Sequence, residues 1–271
     1  MIPSDTFKVN GKRTMCLIFF SYNMHSDFRL ILAANRDEFY DRPTKPLGFW
    51  EDAPDILAGL DIKGLGTWMG ITRTGRFAAL TNYRDPRSLK PDAPSRGLLV
   101  SDFLSGKDSA KQYAERVQAL GHKYNGFNLL VGDADDLFYY SNKGTGIRKI
   151  SPGFYGISNH LLDTPWPKLE KGKAELGILF ARKHIDIQAV FEVMADRTYP
   201  RDDMLPDTGV SLEWERILSP LFVSSENYGT RSSSVLLIRR TGEILFAERT
   251  HEPAGDVLIS LPEQKQSGTE S

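Results

Sequence analysis

The chain has 271 residues, 40% hydrophobic and 25% charged, with a formal net charge of −1. These values suit a globular domain with a sizeable core, and the even mix of acids and bases gives no support to a nucleic-acid surface. The single cysteine excludes an internal disulfide framework, and no apolar run approaches the roughly 18 residues that a membrane helix needs.

In chain order, residues 1–14 read as a flexible or non-native extension: they are polar and lack the apolar stretch of a secretory signal. A cytoplasmic protein without an integral membrane segment is expected. One domain is expected over 15–263, with a polar, disordered tail at 264–271. Residues 16–22 and 28–34 have the composition of paired strands, and Asn35-Arg36-Asp37-Glu38 then packs four polar side chains into what reads as a turn. Arg42-Pro43 and Lys45-Pro46 break regular structure. Residues 66–72 and 76–82 flank Thr74-Gly75, a hairpin signal, because glycine can take the positive φ of a tight turn.

Residues 86–94 form a proline- and charge-rich loop. Residues 98–120 predict two helices broken at Ser105-Gly106, the second opened by a Ser109/Gln112 capping box. Strands are expected at 126–131 and 137–140, and again at 147–150 and 154–158 around Pro152-Gly153. Apolar spacing predicts helices over 168–182 and 186–195, and residues 199–209 form a long loop. A closing hairpin spans 233–239 and 243–248 about Thr241-Gly242. Many antiparallel strands with helices in two blocks predict an α+β layered domain and not a parallel doubly wound sheet.

Several chemistries lack their residues. The five histidines (His25, His122, His160, His184, His251) have neither an i, i+4 pair nor cysteine partners, so no metal site is expected. There is no P-loop, no Gly-x-Ser-x-Gly elbow and no Cys-x-x-Cys-His.

What remains is Cys16 and a set of asparagines and arginines at strand ends. If Met15 were removed, Cys16 would carry a free α-amine. Thiol and base would then share one residue, because an α-amine titrates at roughly 7.7–8.0. Such a site needs a carboxylate to orient the ammonium, donors for an oxyanion and a cation to favour thiolate. Asp37 is the candidate orienter, Asn82 or Asn159 the donor, and Arg36 and Arg231 the cations. Plainer readings stand beside these. Cys16 is a buried strand cysteine, Glu38 a solvated turn residue or partner of Arg42, and Asn82 and Asn159 terminate strand ladders. Arg231 forms a structural ion pair with Asp37, and Trp68 and Trp166 are packing anchors.

Met15-Cys16-Leu17-Ile18-Phe19-Phe20, then Leu32 to Tyr40 with its Asn-Arg-Asp-Glu, resemble the NRDE family, whose animal members are called Transport and Golgi Organisation protein 2. Gly66-Thr67-Trp68-Met69-Gly70, Ala79 to Arg84, Ser95-Arg96-Gly97 and Tyr124 to Leu129 continue the match. So do Gly156 to Asn159, Thr164-Pro165-Trp166-Pro167-Lys168 and Tyr228 to Ser233. The resemblance implies a four-layer αββα sandwich of N-terminal nucleophile (Ntn) hydrolase type. It implies mechanistic kinship with penicillin V acylases and bile salt hydrolases, which begin at a catalytic cysteine after methionine removal. On that basis Cys16, Asp37, Asn82, Asn159 and Arg231 are the expected catalytic set, and Asn35, Arg36, Trp68 and Tyr83 the substrate-binding set. The expected activity is amide or acyl hydrolysis of a small molecule, with no cofactor and no metal. It requires Met15 to be the initiator or residues 1–14 to be clipped. The rival from another class is a haem-binding or haem-trafficking protein, or one handling acyl-CoA or lipid. The sequence leaves the oligomeric state open.

Overall fold

A computed structural model describes residues 15–263. The expectations for residues 1–14 and 264–271 lie outside the described residues. The chain opens with β1 (Met15–Tyr22) and β2 (Phe28–Phe39), then forms β3 (Thr44–Phe49), β4 (Ile56–Asp61), β5 (Met69–Thr72) and β6 (Phe77–Asn82). Helices α1 (Gly97–Ser105) and α2 (Ala110–Leu120) precede β7 (Phe127–Gly132), β8 (Leu137–Ser141), the short β9 (Arg148–Lys149) and β10 (Gly153–Ile157). Helices α3 (Pro167–Phe180), α4 (Ile187–Met194) and α5 (Leu212–Ile217) lead to β11 (Tyr228–Arg239), β12 (Ile244–His251) and β13 (Ala254–Leu261).

Two antiparallel sheets result, one in the order β10-β1-β2-β11-β12-β13 and the other β3 through β9 in sequence. Ile18, Phe20, Leu32 and Leu236 of the first sheet meet Met69, Ile71 and Leu130 of the second in a core between the sheets. The outer face of the second sheet buries Ala78, Leu80 and Leu129 against Phe103 of α1 and Tyr113 of α2. The outer face of the first sheet packs Leu17, Phe19 and Ile31 against Leu169 and Leu176 of α3 and Val190 of α4. The layers therefore run helix, sheet, sheet, helix, the α+β sandwich expected. Period-two alternation is the cause: even-numbered residues of β1 enter the inter-sheet core while Leu17 and Phe19 face the helices.

Several local features follow from their residues as predicted. Gly75 has φ 80 and closes β5–β6 with its N–H on the Thr72 carbonyl at 2.9 Å. Ser109 and Gln112 make both bonds of the capping box. Helix α3 comes close to β1 because Gly172 has no side chain: a Cβ there would lie 2.2 Å from Phe19 Cζ. Gly172→Ala is therefore expected to destabilise the fold by about 1–3 kcal/mol, although alanine is the better helix former. Urea unfolding tests this, and an unchanged midpoint refutes the close packing.

The structure departs from or adds to the expectations at several points. Asn35 to Glu38 do not form a turn but continue β2, because β1 and β11 flank this stretch and satisfy its backbone on both sides. The Pro-broken stretch after Arg42 contains β3, an edge strand whose ladder is interrupted between Lys45 and Gly48, where Pro46 is tolerated. The two strands expected around Pro152-Gly153 are present but lie in different sheets: β9 joins β8 in one and β10 joins β1 in the other. Finally, α5 follows the long loop, and β13 adds a last edge strand beyond the predicted closing hairpin.

Candidate active site

The two sheets part at one end to leave a cleft of about 1110 Å³, and Cys16 lies on its wall. The position follows from strand alternation. Cys16 is on the same face of β1 as Ile18 and Phe20, so its side chain continues the inter-sheet row where that row gives way to the cleft. Arg36 is its cross-strand partner on β2 and also lines the cleft. Burial pushes the Cys16 thiol far above its usual range. The Arg36 charge opposes that shift, Asp37 and Glu38 add to it, and the Asp37 backbone N–H donates to the sulfur. A thiol held protonated in this way attacks a carbonyl only if a base takes its proton.

Because Asn35 to Glu38 lie in a strand, they divide between two faces. Arg36 and Glu38 share the cleft-side face, where Glu38 pairs with Arg36 at 3.4 Å and with Arg42 at 3.2 Å. Glu38 is thus no solvated residue: it is buried, accepts the Phe39 N–H and anchors an ion chain that passes through Arg42 to Asp61. Asn35 and Asp37 point toward the helix layer. Asn35 donates to the carbonyls of Met194 and Leu221 and accepts from Ser233 Oγ. These bonds fix α4, the segment before β11 and β11 itself against β2, so the substrate-binding expectation for Asn35 is corrected to a structural one.

The carboxylate of Asp37 accepts from Thr230 Oγ1 at 2.6 Å, and the strand register sets Asp37 opposite Met15. It therefore sits beside the peptide bond whose removal would expose the Cys16 amine, and it reaches the thiol only through its backbone. Burial raises its pKa, against the opposing charge of Lys168 and the Thr230 hydrogen bond. Arg231 does not pair with Asp37. It is the extra residue of a β-bulge, where Thr230 faces Asp37 and Ser232 faces Arg36, and the bulge turns its guanidinium into the cleft. There Arg231 donates to the Phe39 and Arg42 carbonyls, both at 3.0 Å.

Asn82 ends β6 on the cleft wall. Asn159 stands behind it, donating its side-chain amide to the Asn82 carbonyl at 3.0 Å, while its own carbonyl accepts the Arg84 N–H at 2.7 Å. With Thr81 Oγ1 on the Ser158 carbonyl, these bonds tie the end of β6 to the segment after β10, joining the two sheets beside Cys16. Trp68 lines the cleft and packs on the inter-sheet core, so it combines the binding position with the anchor role. Tyr83 does not face the cleft: its hydroxyl shares a 2.8 Å hydrogen bond with His160 Nε2, and that substrate-binding expectation is corrected.

Three charged groups were given no role from sequence. Arg96, just before α1, lines the cleft from the opposite sheet's helix layer and donates to the Gly126 carbonyl. Burial lowers its pKa to about 10, opposed by Cys16 and Glu38. Glu248 also lines the cleft and accepts the Leu47 N–H. Lys168 lies buried in the first turn of α3, its Nζ donating to the Leu218 carbonyl. Arg96 and Lys168 fall in segments that resemble the family, but a lone cation in a loop or a helix reads as solvated until the fold shows it buried.

Among the described residues, no group of three or more His, Cys, Asp and Glu side chains is placed to hold a metal ion. No helix among them is long and apolar enough to cross a membrane.

Similarity to known proteins covers most of the chain. The Transport and Golgi organisation 2 homologue of Mus musculus is 37% identical over 257 residues, covering 87% of this chain and 93% of that protein. The Homo sapiens homologue is 38% identical over 261 residues, with the same shares. Among solved structures, the N-acylethanolamine-hydrolyzing acid amidase orthologue of Caenorhabditis elegans covers 82% of this chain and 92% of its own. It aligns with a TM-score of 0.48 at 13% identity. The family model for Transport and Golgi organisation 2 matches residues 15–253, a span that begins one residue before Cys16 and takes in every strand but β13. The chain belongs to that family.

Proposed function

We propose that the protein is a cysteine amidohydrolase of N-terminal nucleophile type, acting on a small amide or acyl substrate that bears an anionic group. The observation that carries the reading is the position of the only thiol. Cys16 lies on the cleft wall opposite Arg36, and Asn82, Arg96 and Arg231 share the same cleft. In the proposed cycle Cys16 is the first residue. Its α-amine, oriented by Asp37, takes the thiol proton as sulfur attacks the carbonyl carbon. The Asn82 amide donates to the resulting oxyanion, and Asn159 holds Asn82 from behind. The amine then gives its proton to the leaving nitrogen, and water hydrolyses the thioester.

Charge supports the anionic substrate. Seven basic side chains line the cleft against three acidic ones. Among the described residues, neither Arg96 nor Arg231 forms an ion pair with a carboxylate; their guanidinium groups donate to the carbonyls of Gly126, Phe39 and Arg42. Partly buried cations without counter-ions suit a ligand that supplies one. The same lining suits the carboxylates of haem or the phosphates of an acyl carrier. For haem the donor set fits less well: the cleft offers Cys16 as its thiol, and burial favours the neutral form. His25, His160 and His251 are engaged with Arg182, Tyr83 and Ser233.

The test combines the mass of the native protein with turnover of paired amides that differ only in an anionic group. A chain starting at Cys16 that hydrolyses the anionic members is expected. Arg96→Ala should raise KM for those members by about 10-fold, as for the loss of one charged hydrogen bond, and leave the neutral ones unchanged. A native chain with Met15 still attached, together with no turnover of any member, refutes the reading.

A further inference from the structure

Beside the cleft, residues 81–84 at the end of β6 and residues 158–160 after β10 are joined rung by rung. Thr81 Oγ1 donates to the Ser158 carbonyl at 2.7 Å, Asn159 Nδ2 to the Asn82 carbonyl at 3.0 Å, and the Arg84 N–H to the Asn159 carbonyl at 2.7 Å. The remaining rung is a pair of side chains, the Tyr83 hydroxyl and His160 Nε2 at 2.8 Å, with ring centres 4.9 Å apart. Its direction follows from the other side of the imidazole. Thr164 Oγ1 lies 2.8 Å from the Leu161 carbonyl, which has no proton to give, so the single hydroxyl proton of Thr164 goes there. His160 Nδ1, 2.8 Å from the same hydroxyl oxygen, must then carry a proton of its own and donate it. In the neutral ring Nε2 is left bare, and Tyr83 donates to it.

We propose that His160 is a positioning residue for Asn82: held as the neutral Nδ1–H tautomer by Thr164, it accepts the Tyr83 hydroxyl and so fixes the chain beside Asn82 against the segment that carries Asn159. This serves catalysis only under the hydrolase reading, where the Asn82 amide meets the oxyanion; the one-way chain from Tyr83 through His160 and Thr164 to Leu161 stands without it. The neighbouring groups brace the same clasp. Asn128 Nδ2 donates to the His160 carbonyl at 2.8 Å and to Thr81 Oγ1 at 3.0 Å, and the Tyr139 hydroxyl donates to Asn128 Oδ1 at 2.7 Å. Tyr83 faces the imidazole from the end of β6, and Thr164 and Trp166 face it from the segment leading to α3. Of the charged groups around them, Arg84 lies over the Trp166 ring at 5.0 Å, and Asp85 and Lys143 act on Tyr83. Burial lowers the His160 pKa, which favours the neutral ring that the chain requires. Protonation would place a hydrogen on Nε2 and remove the acceptor for Tyr83.

Proton–nitrogen correlation NMR of the full chain with isotope-labelled histidines tests this, the His160 signals being assigned by their loss in His160→Gln. A neutral ring protonated at Nδ1 is expected, and one protonated at Nε2 overturns the proposal. Tyr83→Phe keeps the ring contact and removes the donor, so the His160 titration midpoint should rise by roughly half a pH unit or more, because the neutral form loses its hydrogen bond. An unmoved midpoint overturns the proposal equally. With the anionic amides, Tyr83→Phe should lower kcat roughly 3- to 10-fold and leave KM unchanged. His160→Gln, whose amide oxygen can accept from Tyr83, should keep more of kcat than His160→Leu, and equal losses refute the positioning role. The expected tautomer and midpoint shift in a protein that cleaves no amide support the clasp and count against the hydrolase; turnover with a ring protonated at Nε2 does the reverse.

Discussion

Cys16→Ala is expected to abolish amide turnover, with kcat falling on the order of 10⁴-fold or more, as when a nucleophile is removed from an otherwise intact hydrolase site. The expected size follows from the chemistry of the wall. Asn82 stabilises an oxyanion only after a nucleophile has attacked, and the arginines bind substrate without breaking a bond. Cys16 is the single cysteine of the chain, so no neighbouring thiol can substitute. The variant should remain folded, since the change removes one sulfur atom from a side chain on the cleft wall, and it should still bind anionic ligands through the cleft arginines. Single-turnover assays with the amide panel, run beside a melting curve, separate lost chemistry from lost fold. Wild-type turnover in Cys16→Ala would falsify the nucleophile assignment. Retained haem affinity in an inactive variant shows that binding does not run through the thiol.

The second large effect concerns stability. Glu215→Gln should destabilise the protein by about 3–5 kcal/mol, because it removes the carboxylate of a buried ion pair with Arg84. The pair is 5% and 4% exposed at its side chains. Glu215 also accepts the Thr208 N–H at 2.9 Å and its hydroxyl, and Arg84 lies 5.0 Å over the Trp166 ring. Replacing both charges, Arg84→Met with Glu215→Leu, should cost markedly less than Glu215→Gln alone, since two apolar groups leave no charge to solvate. Denaturant midpoints at constant m-value decide the matter. A single variant as stable as wild type would mean that water reaches the pair. The effect extends to the cleft, because the Arg84 backbone holds Asn159 and Asn159 holds Asn82.

Much of the architecture was legible because local chemistry and global fold agree. The Thr74-Gly75 turn, the Ser109 capping box and the apolar spacing of α3 and α4 each need only neighbours in sequence. The elements that escaped prediction obtain their stability elsewhere: β3 carries Pro46, β13 has an exposed outer face, and both are edge strands held by one partner. The candidate site was legible in part for a similar reason. Cys16 and Asn82 sit at strand ends, where a functional side chain is expected, while Arg36 lies within β2 and Arg231 at the bulge of β11; Trp68 adjoins them in the cleft. Asn35 and Tyr83 have the same residue character but spend it on Met194, Leu221 and His160, partners far away in sequence.

The sequence by itself determined the family through the motifs strung from Met15 to Ser233, and the α+β class and the candidacy of Cys16 through strand periodicity, turn glycines and the lone thiol, all local properties. Only the tertiary structure decided the two faces of Asn35-Arg36-Asp37-Glu38. Four adjacent polar residues read as a solvated turn until β1 and β11 pair on either side and hold them in one extended strand. Alternation then sends Arg36 and Glu38 toward the cleft, and Asn35 and Asp37 toward the helices. The buried cations have the same physical origin. Whether Arg96 and Lys168 meet water or a desolvated site depends on which distant carbonyl each one reaches, Gly126 or Leu218, and that is a property of the assembled layers.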